Sequence, residues 1–322
     1  MDHRIAIIGA GISGLTSGVV LAEHGYQTHL FAAEPPNQTT SAVAGAMWFP
    51  YDAEPADRVI PWALESYEVF RTLSRDPATG VSMIELRQFC RSGALPIPSW
   101  SENFNARSNT SREFVMTIPL SDSSIYLDYL RRRLLAAGGK LTTGVRFEKP
   151  QDVDSSFDVV INCAGIGART LVSDPDLEPH RGQVVLVEKL DLSGAVVCDD
   201  PPLMYAIPRR NDCVFGGTNE ISADLVPDPA TTAAIVSQCS AVLNIAAPRV
   251  IATRVGLRPY RKSGVRVEAA RMDDGRTIIH NYGHGGAGYT LSWGCARSVL
   301  ELARDEITPP GDVFPGTRPA RY

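Results

Sequence analysis

Residues 4–8, Arg-Ile-Ala-Ile-Ile, make a short apolar run without polar alternation, which predicts a strand buried in a parallel sheet. Leu15 to His24 then reads as a helix stopped by Gly25, and Tyr26 to Phe31 as a second strand. The segment Asn37–Trp48 is polar and then small, with no helical period, and predicts a long loop. Further on, apolar runs predict strands at 182–187, 204–207 and 213–215, and helices at 230–246 and about 289–304. No internal repeat, heptad run or low-complexity segment interrupts this order.

Between the first strand and helix stands Gly9-Ala10-Gly11-Ile12-Ser13-Gly14, with Glu34 just past the second strand. In that setting each glycine has a physical task. Gly9 permits a tight turn, Gly11 lets a pyrophosphate approach the backbone at the positive helix N-terminus, and Gly14 lets helix and strand pack closely. Glu34 can accept hydrogen bonds from ribose hydroxyls, so the unit predicts a dinucleotide site. By itself the motif does not separate FAD from NAD. The long polar-then-small excursion after the second strand suits a loop wrapping a large cofactor better than the regular alternation of an NAD dehydrogenase.

Composition narrows the setting. A chain of 322 residues, 44% hydrophobic and 21% charged, can bury a sizeable core and predicts two domains. The net charge of −5 argues against a nucleic-acid partner, and no apolar run is long enough for a membrane span. Met1-Asp2-His3-Arg4-Ile5 runs straight into a strand with no signal-peptide pattern, and Pro319-Ala320-Arg321-Tyr322 is no peroxisomal address. Six scattered cysteines without a Cys-x-x-Cys pair suit a reducing compartment, so a cytoplasmic protein is expected. His280 and His284 are four apart, but the glycines around them make a metal-binding helix an unfit reading, and no metal is expected.

Four segments then carry a resemblance. Thr39-Thr40-Ser41 through Ala46-Met47-Trp48-Phe49-Pro50-Tyr51 resembles the second FAD-contacting stretch of the D-amino-acid oxidase family. Val159-Val160-Ile161-Asn162-Cys163-Ala164-Gly165 is similar to the strand and glycine turn beneath its cofactor. Arg254-Val255-Gly256-Leu257-Arg258-Pro259 is similar to its substrate-carboxylate segment, and His280 to Thr290, followed by Trp293-Gly294-Cys295-Ala296, to its C-terminal flavin loop. The resemblance spans residues 4 to about 300. It implies an α/β fold: a Rossmann-like FAD-binding domain (1–55, 140–182, 255–322) interlaced with an α+β substrate domain on a mixed sheet (56–139, 183–254).

The resemblance also implies roles. FAD, held non-covalently, is expected against Gly9, Ala10, Gly11, Ile12, Ser13, Gly14, Glu34, Thr40, Ser41, Gly45, Ala46, Met47, Val145, Gly285, Gly286, Gly288, Tyr289 and Thr290, with Thr290 at the flavin pyrimidine edge. Arg258 is expected to grip the substrate carboxylate through two parallel hydrogen bonds, a geometry its planar guanidinium supplies, with Arg254 and Arg261 as alternatives. Tyr205 would add a hydrogen bond to that carboxylate, and the Gly286 carbonyl would face the substrate amine. Phe49 and Asn219 are pocket-side positions that differ from relatives, Asn219 standing where some carry a second tyrosine. The implied reaction is oxidation of a D-amino acid with a neutral side chain to an α-keto acid, ammonia and hydrogen peroxide, with molecular oxygen as co-substrate. It needs no side-chain acid or base, because hydride passes from Cα to the flavin. D-aspartate oxidase is the nearest rival, with Arg209 or Arg210 as its side-chain cation; glycine or sarcosine oxidase and a non-catalytic dinucleotide-binding module stand further off. A homodimer is the family-level expectation, and the short stretch from Cys198 to Tyr205 predicts an open site without a long lid.

Overall fold

The computed structural model describes residues 3–51, 53–101 and 104–307; the tetrapeptide 319–322 and the rest of 308–322 lie outside that range. β1 (Arg4–Ile8) passes through the glycine turn into α1 (Ile12–Glu23), and β2 (Gln27–Ala32) pairs parallel with β1. The expected loop that follows contains one helical turn, α2 (Thr40–Val43), whose Ala42 carbonyl accepts from the Ser123 hydroxyl at 3.2 Å. Four residues are too few for a helical period to show in the sequence.

α3 (Ala56–Leu73) buries Val59, Trp62, Ala63, Ser66, Tyr67 and Phe70, one stripe at helical spacing. β3 (Val81–Phe89), β4 (Arg107–Thr110) and β5 (Glu113–Ser121) pair antiparallel in the order β3, β5, β4. α4 (Ser123–Ala136) starts at Asp122, whose carboxylate accepts from the Ser124 amide at 3.2 Å. The chain continues through β6 (Lys140–Thr143), β7 (Val159–Asn162), α5 (Ala168–Leu171), β8 (Leu177–Glu188), β9 (Gly194–Cys198), β10 (Met204–Pro208), β11 (Asp212–Gly216) and β12 (Glu220–Ile221). α6 (Pro229–Leu243), β13 (Val250–Arg261), β14 (Arg266–Arg271), β15 (Thr277–Tyr282) and α7 (Gly288–Ile307) complete it. α6 ends short of the expected residue 246 because Asn244 turns left-handed at φ 54°.

Two sheets organise these elements. The first runs β14-β15-β7-β1-β2-β6, parallel except for its edge strand β14. Ile5, Ala6 and Ile7 of β1 are fully buried at its centre, as a strand covered on both faces should be. The second sheet is mixed: β13 lies on one side of β8, and β12, β11, β10, β9, β3, β5 and β4 follow on the other, with β3 parallel to β9. β8 and β13 pair antiparallel in this sheet, and each spans one of the domain limits expected at 182/183 and 254/255.

α7 packs against α1 and α3. Gly294 makes the second contact possible, since a Cβ there would meet the Trp62 carbonyl carbon at 2.8 Å. All six cysteines are free and buried. No described helix is long and apolar enough to cross a membrane, and no described group of residues could hold a metal ion.

Candidate active site

A cavity of about 870 Å³ runs from the C-terminal end of β1 to the face of the second sheet. At its first end Gly9 adopts φ +114°, and a Cβ on it would drive into the Cys163 backbone, its carbonyl carbon 2.8 Å away. Gly14 packs over Gly9, whose carbonyl carbon lies 2.9 Å from where a Cβ would stand. These two glycines press turn, β7 and α1 together. Gly11 caps α1 without a side-chain hydrogen bond, and no acidic residue stands in the first turn. The positive end of the helix therefore faces the cavity, its Ile12 amide donating to the Ser41 hydroxyl at 2.9 Å. Glu34 lines the wall and accepts from Arg146 at 3.0 Å; Val145, whose amide bonds the Ala32 carbonyl, lines it too.

The middle of the cavity is built from Thr40–Tyr51 and the glycine loop before α7. Ala46 takes φ 55°, and the strand-like contact of Met47 with Leu120 ties this segment to the second sheet. Gly286 lies so close to Tyr51 that a Cβ would meet its ring at 2.7 Å. Tyr289 donates to the Ser41 carbonyl at 2.8 Å, and Ser13 to the Asn281 carbonyl at 2.9 Å, locking the loop to the dinucleotide unit. His284 is buried and bonds Asn281 at 3.0 Å, and burial pushes its pKa down to about 4, so this ring is neutral. Among the cysteines, Cys163 lines the cavity, and burial raises its thiol to about 11.

At the far end stand Arg258 and Tyr205, brought together by strand register. Arg258 lies opposite His180 on β8, and Gly182 of the same strand leaves room for its guanidinium: a Cβ on Gly182 would meet Nη1 at 2.5 Å. Tyr205 on β10 pairs with Gly216 of β11, which likewise clears space for the phenol. Arg258 donates to the Thr218 carbonyl at 3.1 Å. Burial raises the Tyr205 pKa, and Arg258, which hydrogen-bonds the phenol, opposes that rise. Among the described residues no carboxylate pairs with Arg258, whereas Arg261 is bound to Asp174 at 2.8 Å and Arg254 does not line the cavity. Only Arg258 of the three presents a guanidinium there.

Three of the expected residues do not line the cavity. Asn219 is exposed in the turn after β11 and does not line the cavity, because the strand ends at Gly216 and the chain turns away toward β12. The Thr290 hydroxyl is committed to Phe49, accepting from its amide at 3.0 Å and donating to its carbonyl at 2.9 Å. Thr290 therefore holds Phe49 in place rather than presenting its hydroxyl to the cavity. Gly14 acts behind the wall, through packing. The remaining expected residues, Phe49 and Gly45 included, line it. Gln88, Val197 and Asp199, outside the segments that carried the resemblance, line it too, as do Tyr51, Leu203, Ile207 and His284.

The family description "FAD dependent oxidoreductase", DAO, matches residues 4–114 and 120–302. The chain belongs to this family. It is 40% identical to a D-amino-acid oxidase of Rubrobacter xylanophilus over 313 residues, covering 93% of this chain and 95% of that protein. A D-amino-acid oxidase of Streptomyces coelicolor is 40% identical over 315 residues, covering 94% and 97%. A D-aspartate oxidase of Homo sapiens is 29% identical, covering 94% of each chain. In three dimensions the chain resembles glycine oxidase from Geobacillus kaustophilus, with a TM-score of 0.79 at 17% identity, over 95% of this chain and 96% of that one. The protein is thus an FAD-dependent oxidoreductase of mixed α/β fold. The cradle fits that cofactor: close-packed glycines, a helix N-terminus without a side-chain cap, and a long cavity that joins them to Arg258.

Proposed function

We propose that the protein oxidises D-amino acids with neutral side chains to α-keto acid, ammonia and hydrogen peroxide, using oxygen. The observation that carries this reading is Arg258: a guanidinium in the cavity wall, without a carboxylate partner among the described residues and joined to the Tyr205 phenol. Two parallel N–H groups there match a substrate carboxylate. Bound FAD supplies the acceptor for a hydride from the substrate α-carbon. Gly9 to Gly14, Ser41, Glu34 and Val145 would hold its dinucleotide portion, and Gly45 to Met47 with Gly285 to Tyr289 its ring. The Gly286 carbonyl would face the substrate amine, and Phe49, fixed by Thr290, would close the side-chain pocket with Trp100 at a ring-centroid distance of 5.5 Å.

Attachment is non-covalent in this reading, because the cavity-lining Cys163 thiol is held neutral by burial and is a poor nucleophile. The two interlaced domains, a homodimer and a cytoplasmic setting belong to the same proposal. The six free cysteines suit the last of these.

The rival D-aspartate oxidase reading needs a second cation beside the substrate side chain. Arg209 is buried in an ion pair with Asp212 at 2.7 Å, and Arg210 bonds the Pro77 carbonyl at 3.0 Å. Neither lines the cavity. An acidic side chain would lose hydration there without compensation. D-alanine is therefore expected to outcompete D-aspartate and D-glutamate by at least ~10-fold in kcat/KM, about 1.4 kcal/mol of transition-state preference. Peroxide release measured with D-alanine, D-aspartate, D-glutamate and glycine tests this. A preference for D-aspartate that vanishes on replacing Arg209 or Arg210 overturns it.

A further inference from the structure

The cavity wall contains a carboxylate that the reaction above does not use. Across the second sheet, Gln88 of β3 stands beside Val197 of β9, and Val197 lies directly opposite Tyr205 of β10. All three line the cavity. Asp199, two residues beyond Val197, lines it as well, and the buried Gln88 amide donates to its Oδ2 at 2.8 Å. Asp199, just past the end of β9, thus shares one cavity with Arg258 and Tyr205, so a side chain long enough to reach it from a carboxylate held at Arg258 would end beside its carboxylate.

Among the described residues no cation meets the charge of Asp199. No described lysine or arginine forms an ion pair with it, and the nearby Arg91 guanidinium is committed to the Cys198 sulfur and the Asp200 carbonyl. Asp200 uses its own carboxylate on the Arg91 and Ser92 amides. Asp199 is exposed at the cavity, yet the protein around it, and then the charge of Asp200, push its carboxyl upward from its usual range. A cation seated against it would offset the repulsion from Asp200.

We propose that Asp199, oriented by Gln88, is the side-chain recognition group of this site and selects long D-amino acids ending in a cation, such as D-lysine, D-ornithine and D-arginine. The inference rests on reading the cavity as an amino-acid site; it widens the neutral side chains proposed above to cationic ones and keeps the bias against acidic ones. Two opposite charges at the ends of the cavity, Arg258 for the carboxylate and Asp199 for the distal cation, would set the length of the preferred substrate. A site built around such a group discriminates against analogues that leave it unpaired.

The test compares D-lysine with D-norleucine, which has the same chain without the terminal amine, using the FAD-loaded full-length protein. The unaltered protein should favour D-lysine by at least ~10-fold in kcat/KM, and Asp199→Asn should collapse that ratio toward unity through KM. Asp199→Lys should invert the order, so that D-glutamate outruns D-lysine. A Gln88→Leu variant should reduce the ratio while leaving it above one. If the D-lysine to D-norleucine ratio is near one in the unaltered protein, or unchanged in Asp199→Asn, the proposal fails. Turnover of D-alanine by the unaltered protein separates that failure from failure of the amino-acid reading itself: oxidation of D-alanine with no D-lysine preference sinks only Asp199, whereas no oxidation of any D-amino acid sinks both.

Discussion

Replacing Arg258 with Met is expected to lower kcat/KM for D-alanine by at least ~10³ while the protein keeps its FAD. The charged two-point contact contributes affinity, and it also fixes the α-carbon against the acceptor, so orientation is lost with it. Steady-state peroxide assays beside a flavin-to-protein absorbance ratio measure both quantities. The fall should appear in kcat as well as KM, because the grip is needed in the transition state. Arg254→Met should keep most of the activity, since Arg254 does not line the cavity. Near-normal turnover of Arg258→Met would place the carboxylate elsewhere in the wall.

A comparably large effect is expected at Gly14, on the cofactor rather than the chemistry. The unaltered protein should be yellow and release FAD on acid or heat treatment. Gly14→Val should be purified colourless and stay so after dialysis against FAD. A branched side chain there would collide with the Gly9 carbonyl and crowd the Cys163 side chain 3.4 Å away, lifting α1 off the turn. Overpacking of this kind costs about 1–3 kcal/mol of stability, so the melting temperature should fall as well. A yellow Gly14→Val protein with an unchanged melting temperature would contradict the packing argument.

The dinucleotide unit was legible because its information is local. Strand, glycines, helix and Glu34 follow one another within a short span, and each residue type has one evident physical use. The glycine loop before α7 and the arginine ahead of Pro259 were legible through motif resemblance. The long-range pairing was not. Nothing local in the sequence marks Gly182 or Gly216 as part of the site; only the register places them under Arg258 and Tyr205. Gln88 and Asp199 are far apart in sequence and meet only because β3 and β9 run parallel. Asn219 stays out of the cavity wall for a related reason: a motif gives the order of residues, while the end of β11 at Gly216 decides which way the next side chains go. Thr290 shows the converse, a residue at an expected position whose hydroxyl is already taken by Phe49.

The central claim, a site that holds a D-amino acid by its carboxylate with Cα facing the flavin, is tested most directly without oxygen. The FAD-loaded protein is mixed anaerobically with D-alanine and, separately, with L-alanine, and the oxidised flavin absorbance is followed. The account predicts rapid bleaching by the D enantiomer, formation of pyruvate in amounts equal to the flavin reduced, and no bleaching by the L enantiomer over the same time. Equal bleaching by both, or by neither, would contradict it.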